Sequence, residues 1–166
     1  SIQSSLSDYP KDATARLLTQ PALAHLTTLS LPHNMLPPDV IEELGKTPHL
    51  SNLESLDLWD NFAGRNGIRT LADSPHLDKL AKLELAWNEL EDHHIELLAN
   101  RSGLPNLRQL SLTENPIEDA GLHALARNES SRTLTELELS YTQCTRSGIR
   151  ALGESANLDN LKRIEL

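Results

Sequence analysis

Leucine returns along this chain on a fixed beat. From Leu26, Leu53, Leu80, Leu107 and Leu134 it reads LxxLxLxxNxL or a close variant, and the pattern starts again at Leu161; each start lies 27 residues after the last. A period of 20–50 residues indicates stacked supersecondary units. Within the third copy, Leu83 and Leu85 alternate with Lys82, Glu84 and Ala86, the period of two that predicts a strand. Ile95 and Leu98 follow at helical spacing, with Asp92 placed to cap them. Equivalent pairs are Ile41/Leu44, Ile68/Leu71, Leu122/Leu125 and Ile149/Leu152. A return loop carries Pro48, Pro75 or Pro105 and ends on Leu50, Leu77, Leu104 or Leu158.

Strands separated by helices pair in parallel, because a parallel crossover needs a dozen or more residues. The pattern therefore predicts an α/β solenoid of about six parallel strands and about five full helices. Strands of about five residues and helices of about nine are expected. At about 4.8 Å per strand the sheet spans roughly 25–30 Å. Residues 11–25 fit the second half of a unit, since Leu17, Pro21 and Leu23 align with Leu44, Pro48 and Leu50. The expected organisation is one solenoid over 1–166: a leader and partial repeat in 1–25, five full repeats, and a partial repeat at 161–166. Residues 1–10 read as an irregular leader or partial cap.

Over residues 11–166 the pattern resembles the leucine-rich repeat family, in its ribonuclease-inhibitor-like type with a helix in every copy. Leu31, Leu58, Leu85, Leu112, Leu139 and Leu166 all take its sixth position. The resemblance implies a right-handed solenoid with strands on the concave face and helices on the convex one. It also implies a binding scaffold, and the near-invariant loops are bacterial in style.

Composition narrows the partners. Aromatic residues make up 3% of the chain, so leucine builds the interior. A net charge of −9 disfavours nucleic acid, which calls for a basic stripe, and equally an anionic membrane surface. No apolar run reaches 18 residues, and Ser1–Ser7 lacks the layout of a signal peptide. The single Cys144 rules out an internal disulfide, which suits a cytoplasmic location and also delivery into a host cell.

Asn34, Asn61, Asn88 and Asn115 form one column where each strand must turn. An interior amide there satisfies backbone groups that the turn sets free, so the column reads as a structural ladder. The fifth copy departs from the pattern: Thr142 replaces the Asn, Cys144 takes a leucine position as a buried thiol, and Ser131 stands where other copies place leucine. The weakest packing is expected there.

Enzyme signatures are absent, and no catalytic residue, cofactor or metal site is expected. His49 and His76 share a column, but Thr/Ser-Pro-His-Leu reads as recurrent loop chemistry. His93-His94 opens a helix without a further ligand at suitable spacing.

The concave face carries the strongest functional signal. Its middle column is Ser30, Asp57, Glu84, Ser111, Glu138 and Glu165, four carboxylates and no base. Lys82, Arg108 and Arg163 in flanking columns offset part of the repulsion expected between adjacent like charges. Of five aromatic residues, Trp59, Phe62, Trp87 and Tyr141 gather where strand gives way to turn. Core positions there already hold leucine, so Trp59 and Trp87 are expected at the surface; Phe62 is open to either side because Ala63 underfills its core position. Exposed Trp and Tyr are enriched at interface hot spots. The candidate partner site is Asp57, Trp59, Asp60, Glu84, Trp87, Glu114, Glu138 and Tyr141. One reading is a protein-interaction module for a basic or amphipathic partner. The other is the substrate-recognition repeat region of a larger enzyme or host-directed bacterial effector. The strand at 161–166 is expected to be an open edge, suited either to end-to-end self-association or to a further copy in a longer natural protein.

Overall fold

A computed structural model describes residues 2–3, 16–17 and 20–166. Among the described residues seven parallel strands follow one another in chain order: β1 (Ile2–Gln3), β2 (Thr28–Ser30), β3 (Ser55–Asp57), β4 (Lys82–Glu84), β5 (Gln109–Ser111), β6 (Glu136–Glu138) and β7 (Arg163–Glu165). The sequence period is also the register, for Leu29, Leu56, Leu83, Leu110 and Leu137 pair in line across the sheet. These five leucines are buried.

One expectation is corrected: each repeat strand is three residues long, shorter than expected. The six expected strands are joined by one from the leader, where Ile2–Gln3 pairs in parallel with Leu29–Ser30. The rest of the 1–10 leader lies outside the described residues.

Among the described residues each full copy is completed by one helix: α1 (Pro38–Lys46), α2 (Gly64–Ala72), α3 (Asp92–Ala99), α4 (Asp119–Arg127) and α5 (Arg146–Gly153). Each buries its apolar pair in the shared core except α5, where Leu152 is buried and Ile149 only half-buried. Packed helices lie about 8–10 Å apart and paired strands about 4.8 Å apart. Repeating that mismatch makes every unit a wedge, which curves the array with the sheet inside. The helices also nest closely. A Cβ built on Gly67 of α2 would stand 2.9 Å from Ile41 Cγ2 of α1.

Capping runs between copies as well as within them. Asp92 does not cap its own helix, as the sequence suggested; it is that helix's first residue, and its Oδ1 accepts a 2.9 Å bond from the Glu118 amide of the next copy. The start of α3 is closed by His94, whose Nδ1 accepts from the Glu91 amide at 3.0 Å. Burial and the neighbouring His93 pull the His94 pKa down, which keeps that nitrogen free to accept. Asp119 repeats the inter-copy bond on α5. Its carboxylate accepts from the Thr145 amide at 2.7 Å, the Thr145 hydroxyl at 2.6 Å and the Gly148 amide at 3.0 Å.

The return loops reach back in the same way. Ser74 Oγ donates to the Gly45 carbonyl at 2.6 Å, and Ser155 Oγ to that of Ala126 at 2.5 Å. In that column the third copy carries Arg101, buried and without an acidic partner among the described residues. Nearby Ser131 is fully buried, and its hydroxyl finds no hydrogen-bond partner among the described residues.

Beyond β6 the core opens. Ile164 is 39% and Leu166 62% exposed, beside a groove of about 590 Å³ lined in part by Leu139, Cys144 and Ile149. Cys144 is therefore half-buried where it lines this groove, not the buried thiol expected; it accepts a 3.2 Å contact from Thr142 Oγ1. Among the described residues no helix is long and apolar enough to cross a membrane.

Candidate functional site

Where each strand ends, the backbone reverses hand. The residues one step before the Asn column are His33, Asp60, Trp87, Glu114 and Tyr141, with φ between 52° and 57°. None is glycine, although this region is unfavourable for side chains with a Cβ. The Asn side chains brace the turn. Asn61 Nδ2 donates to the carbonyls of Leu31 and Leu58, both at 2.9 Å, while its Oδ1 accepts from the Leu36 amide at 2.9 Å. Asn88 Nδ2 donates to Leu58 at 2.9 Å and Ala86 at 3.0 Å, and its Oδ1 accepts from Ala63 at 3.1 Å. Asn115 donates to Leu85 at 2.9 Å and accepts from the amides of Asn88 and Leu90 at 3.0 and 2.9 Å. Asn34 donates to the Pro32 carbonyl at 2.8 Å. Thr142 is too short to copy this and bonds within its own copy, to the Leu139 carbonyl at 2.8 Å.

The eight candidate residues fall into two lines. Asp57, Trp59, Glu84 and Glu138 line a concave groove of about 370 Å³, together with Ala86, Ser111 and Thr113. Asp60, Trp87, Glu114 and Tyr141 lie outside that groove, on the left-handed rim beside it. Small side chains in the middle of the sheet keep the floor shallow: Ser111 is 6% and Ala86 4% exposed.

Two of the floor carboxylates are held by backbone amides two residues on. Asp57 accepts from the Trp59 amide at 3.0 Å and from Ser30 Oγ at 2.7 Å, and Glu84 accepts from the Ala86 amide at 2.9 Å. Asp57 pairs in register with Glu84, and Glu138 with Glu165. Of the three bases expected to offset them, Arg163 alone does so by ion pairing, with Glu165 and with Glu136 at 3.6 Å. Lys82 and Arg108 make no ion pair among the described residues.

On the rim, Trp87 is 50% and Tyr141 79% exposed; Trp59 is 36% exposed at the edge of the floor. Phe62 faces outward at 45%, because Ala63 alone fills the core position. The sequence reading passed over two residues here. His33 Nδ1 lies 2.5 Å from Asp60 Oδ2, and its ring meets that of Trp59 edge-on with centroids 3.8 Å apart. Its place one period before Asp60 was the available signal. Met35, 64% exposed, adds an apolar side chain one period before Phe62. Among the described residues no group of three or more His, Cys, Asp and Glu is placed to hold a metal ion.

Two stretches, 103–126 and 130–153, match a family model described as Leucine Rich repeat. No curated protein sequence matches the chain. Among solved structures it is similar to internalin C2 of Listeria monocytogenes, with a TM-score of 0.62 and 25% identity over 93% of this chain and 61% of that one. It is also similar to a Bacteroides fragilis protein, with a TM-score of 0.62 and 20% identity over 84% of this chain and 40% of that one. The chain thus spans about three-fifths of the internalin's length and less of the second protein's.

Proposed function

This chain belongs to the leucine-rich repeat family, and from that premise we propose that it is a protein-interaction module taking a basic or amphipathic partner on its concave face. The observation that carries the reading is the groove itself, which combines Asp57, Glu84 and Glu138 with an exposed indole and has no base in its lining. Aromatic anchors supply area that is desolvated on binding, and an acidic field steers a basic partner and raises its on-rate. The same field repels nucleic acid and anionic membranes, so neither is a partner in this reading. The proposed setting is cytoplasmic, with delivery into a host cell as its variant.

Selection from a random peptide library tests it, with the footprint mapped by hydrogen exchange. Basic or amphipathic peptides protecting β3–β6 are expected. Acidic winners, or protection of the convex helices alone, would overturn the assignment.

A second reading treats the repeats as the substrate-recognition part of a larger enzyme or effector. Its support is that the chain aligns with only part of two longer solved proteins. A catalytic domain encoded beside these repeats in the gene would decide for it.

A further inference from the structure

We propose that the rim line Asp60–Trp87–Glu114–Tyr141 is a receptor for arginine side chains; the inference rests on the concave-face reading and specifies its partner. The amides of Asp60, Trp87 and Glu114 donate to the carbonyls of Ala86, Thr113 and Ser140 at 2.9, 3.1 and 2.9 Å. Those bonds continue the sheet ladder beyond the strands. Successive rim residues therefore stand one strand spacing apart, about 4.8 Å. Acid alternates with aromatic along the line.

The two acids are not equivalent. Asp60 is engaged by His33, whereas the Glu114 carboxylate has no hydrogen-bond or ion-pair partner among the described residues. Glu114 stands between the exposed indole of Trp87 and the exposed phenol of Tyr141. A guanidinium lies flat on an aromatic face and still donates paired N–H bonds to a carboxylate beside it. A lysine ammonium is a compact, strongly hydrated charge and does not make both contacts in one geometry. Each aromatic next to Glu114 thus supplies a platform, and Glu114 supplies the acceptor.

The spacing specifies the ligand further. Trp87 and Tyr141 are two strand spacings apart, about 9.6 Å. Three residues of polyproline II advance about 9.3 Å and bring residues i and i+3 to the same side. Two arginines separated by two residues on a proline-rich segment match the line.

The test uses the hexapeptide acetyl-PRPPRP-amide and its analogue with lysine at both basic positions, titrated into 15N-labelled protein. Saturable shifts of the Trp87 indole and the Glu114 and Tyr141 amides are expected with the arginine peptide. Binding of the lysine peptide should be about threefold to fivefold weaker or worse. Glu114→Gln should weaken the arginine peptide by about the same factor, with an otherwise unchanged spectrum reporting an intact fold. Equal binding of the two peptides, indifference to Glu114→Gln, or no saturable shift would overturn the arginine assignment. Shifts confined to the floor around Asp57 and Glu84 would overturn it too, while leaving the concave-face reading standing.

Discussion

Arg101 crosses from the third copy into the fourth, where its Nη2 donates a 2.6 Å hydrogen bond to the Ser130 carbonyl. The same guanidinium donates to the Leu98 carbonyl at 3.1 Å and to Thr133 Oγ1 at 3.2 Å. Burial without an acidic partner lowers its pKa to about 10, so it remains charged at neutral pH and is held by carbonyl dipoles. Arg101→Ala should cost about 1–3 kcal/mol, because buried carbonyls lose their donor. Urea titration checks this, and an unchanged midpoint would show that water replaces the guanidinium.

The amide column should carry comparable weight. Asn88→Leu removes the donor to Leu58 and Ala86 and the acceptor for Ala63. A loss of about 1–3 kcal/mol is expected in denaturant titration. Repeat arrays transmit stability through neighbouring interfaces, so hydrogen-exchange protection should fall in the second copy as well. A loss under about 0.5 kcal/mol would contradict a structural ladder, being the size of an ordinary surface change.

Asp119 predicts an acid limb. Bonds from the Thr145 hydroxyl and amide, followed by the Gly148 amide, draw its pKa below 3.8. A carboxyl whose pKa is depressed by folding contributes stability that is fully present above its unfolded value and is lost as pH falls through the folded one. Asp119→Asn should therefore lower Tm at pH 6 and flatten the fall of Tm below pH 3.8. Parallel Tm–pH curves for the two proteins would exclude the linkage.

Floor and rim should separate kinetically once a basic peptide has been selected. Trp87→Ala should cost about 2 kcal/mol or more, chiefly through faster dissociation. Asp57→Asn with Glu84→Gln should instead slow association at low salt, and the effect should fade as the Debye length shrinks to about 8 Å near 0.15 M. Normal binding by a Trp59→Ala, Trp87→Ala double variant would place the site elsewhere.

The architecture was legible because a 27-residue beat encodes register directly: Leu56 and Leu83 pair for the reason that they align in sequence. The residue types of the candidate site were legible too, since leucine already occupied the core positions around Trp59 and Trp87. Their division into floor and rim was not. It depends on a left-handed backbone at Asp60, Trp87, Glu114 and Tyr141, and sequence reading looks for that conformation at glycine or asparagine. Arg101 escaped notice for a related reason. One arginine in a polar loop reads as solvated, and only the folded loop shows it enclosed. Asp92 read as a cap for its own helix because that is the local rule, whereas the solenoid lends it to the next copy.

The bare α-carbon of Gly67 acts at a distance. With Ile41 already in van der Waals reach, a methyl group added there would serve as a shim between α1 and α2. The sheet side is pinned by hydrogen bonds and cannot spread in step, so thickening the outer side tightens the inner arc. Ser30 and Asp57, in register on β2 and β3, would be drawn toward one another by a change made on the opposite side of the molecule. The fit of the groove at its Asp57 end is in that sense calibrated from behind, and a variant on the convex side can retune it.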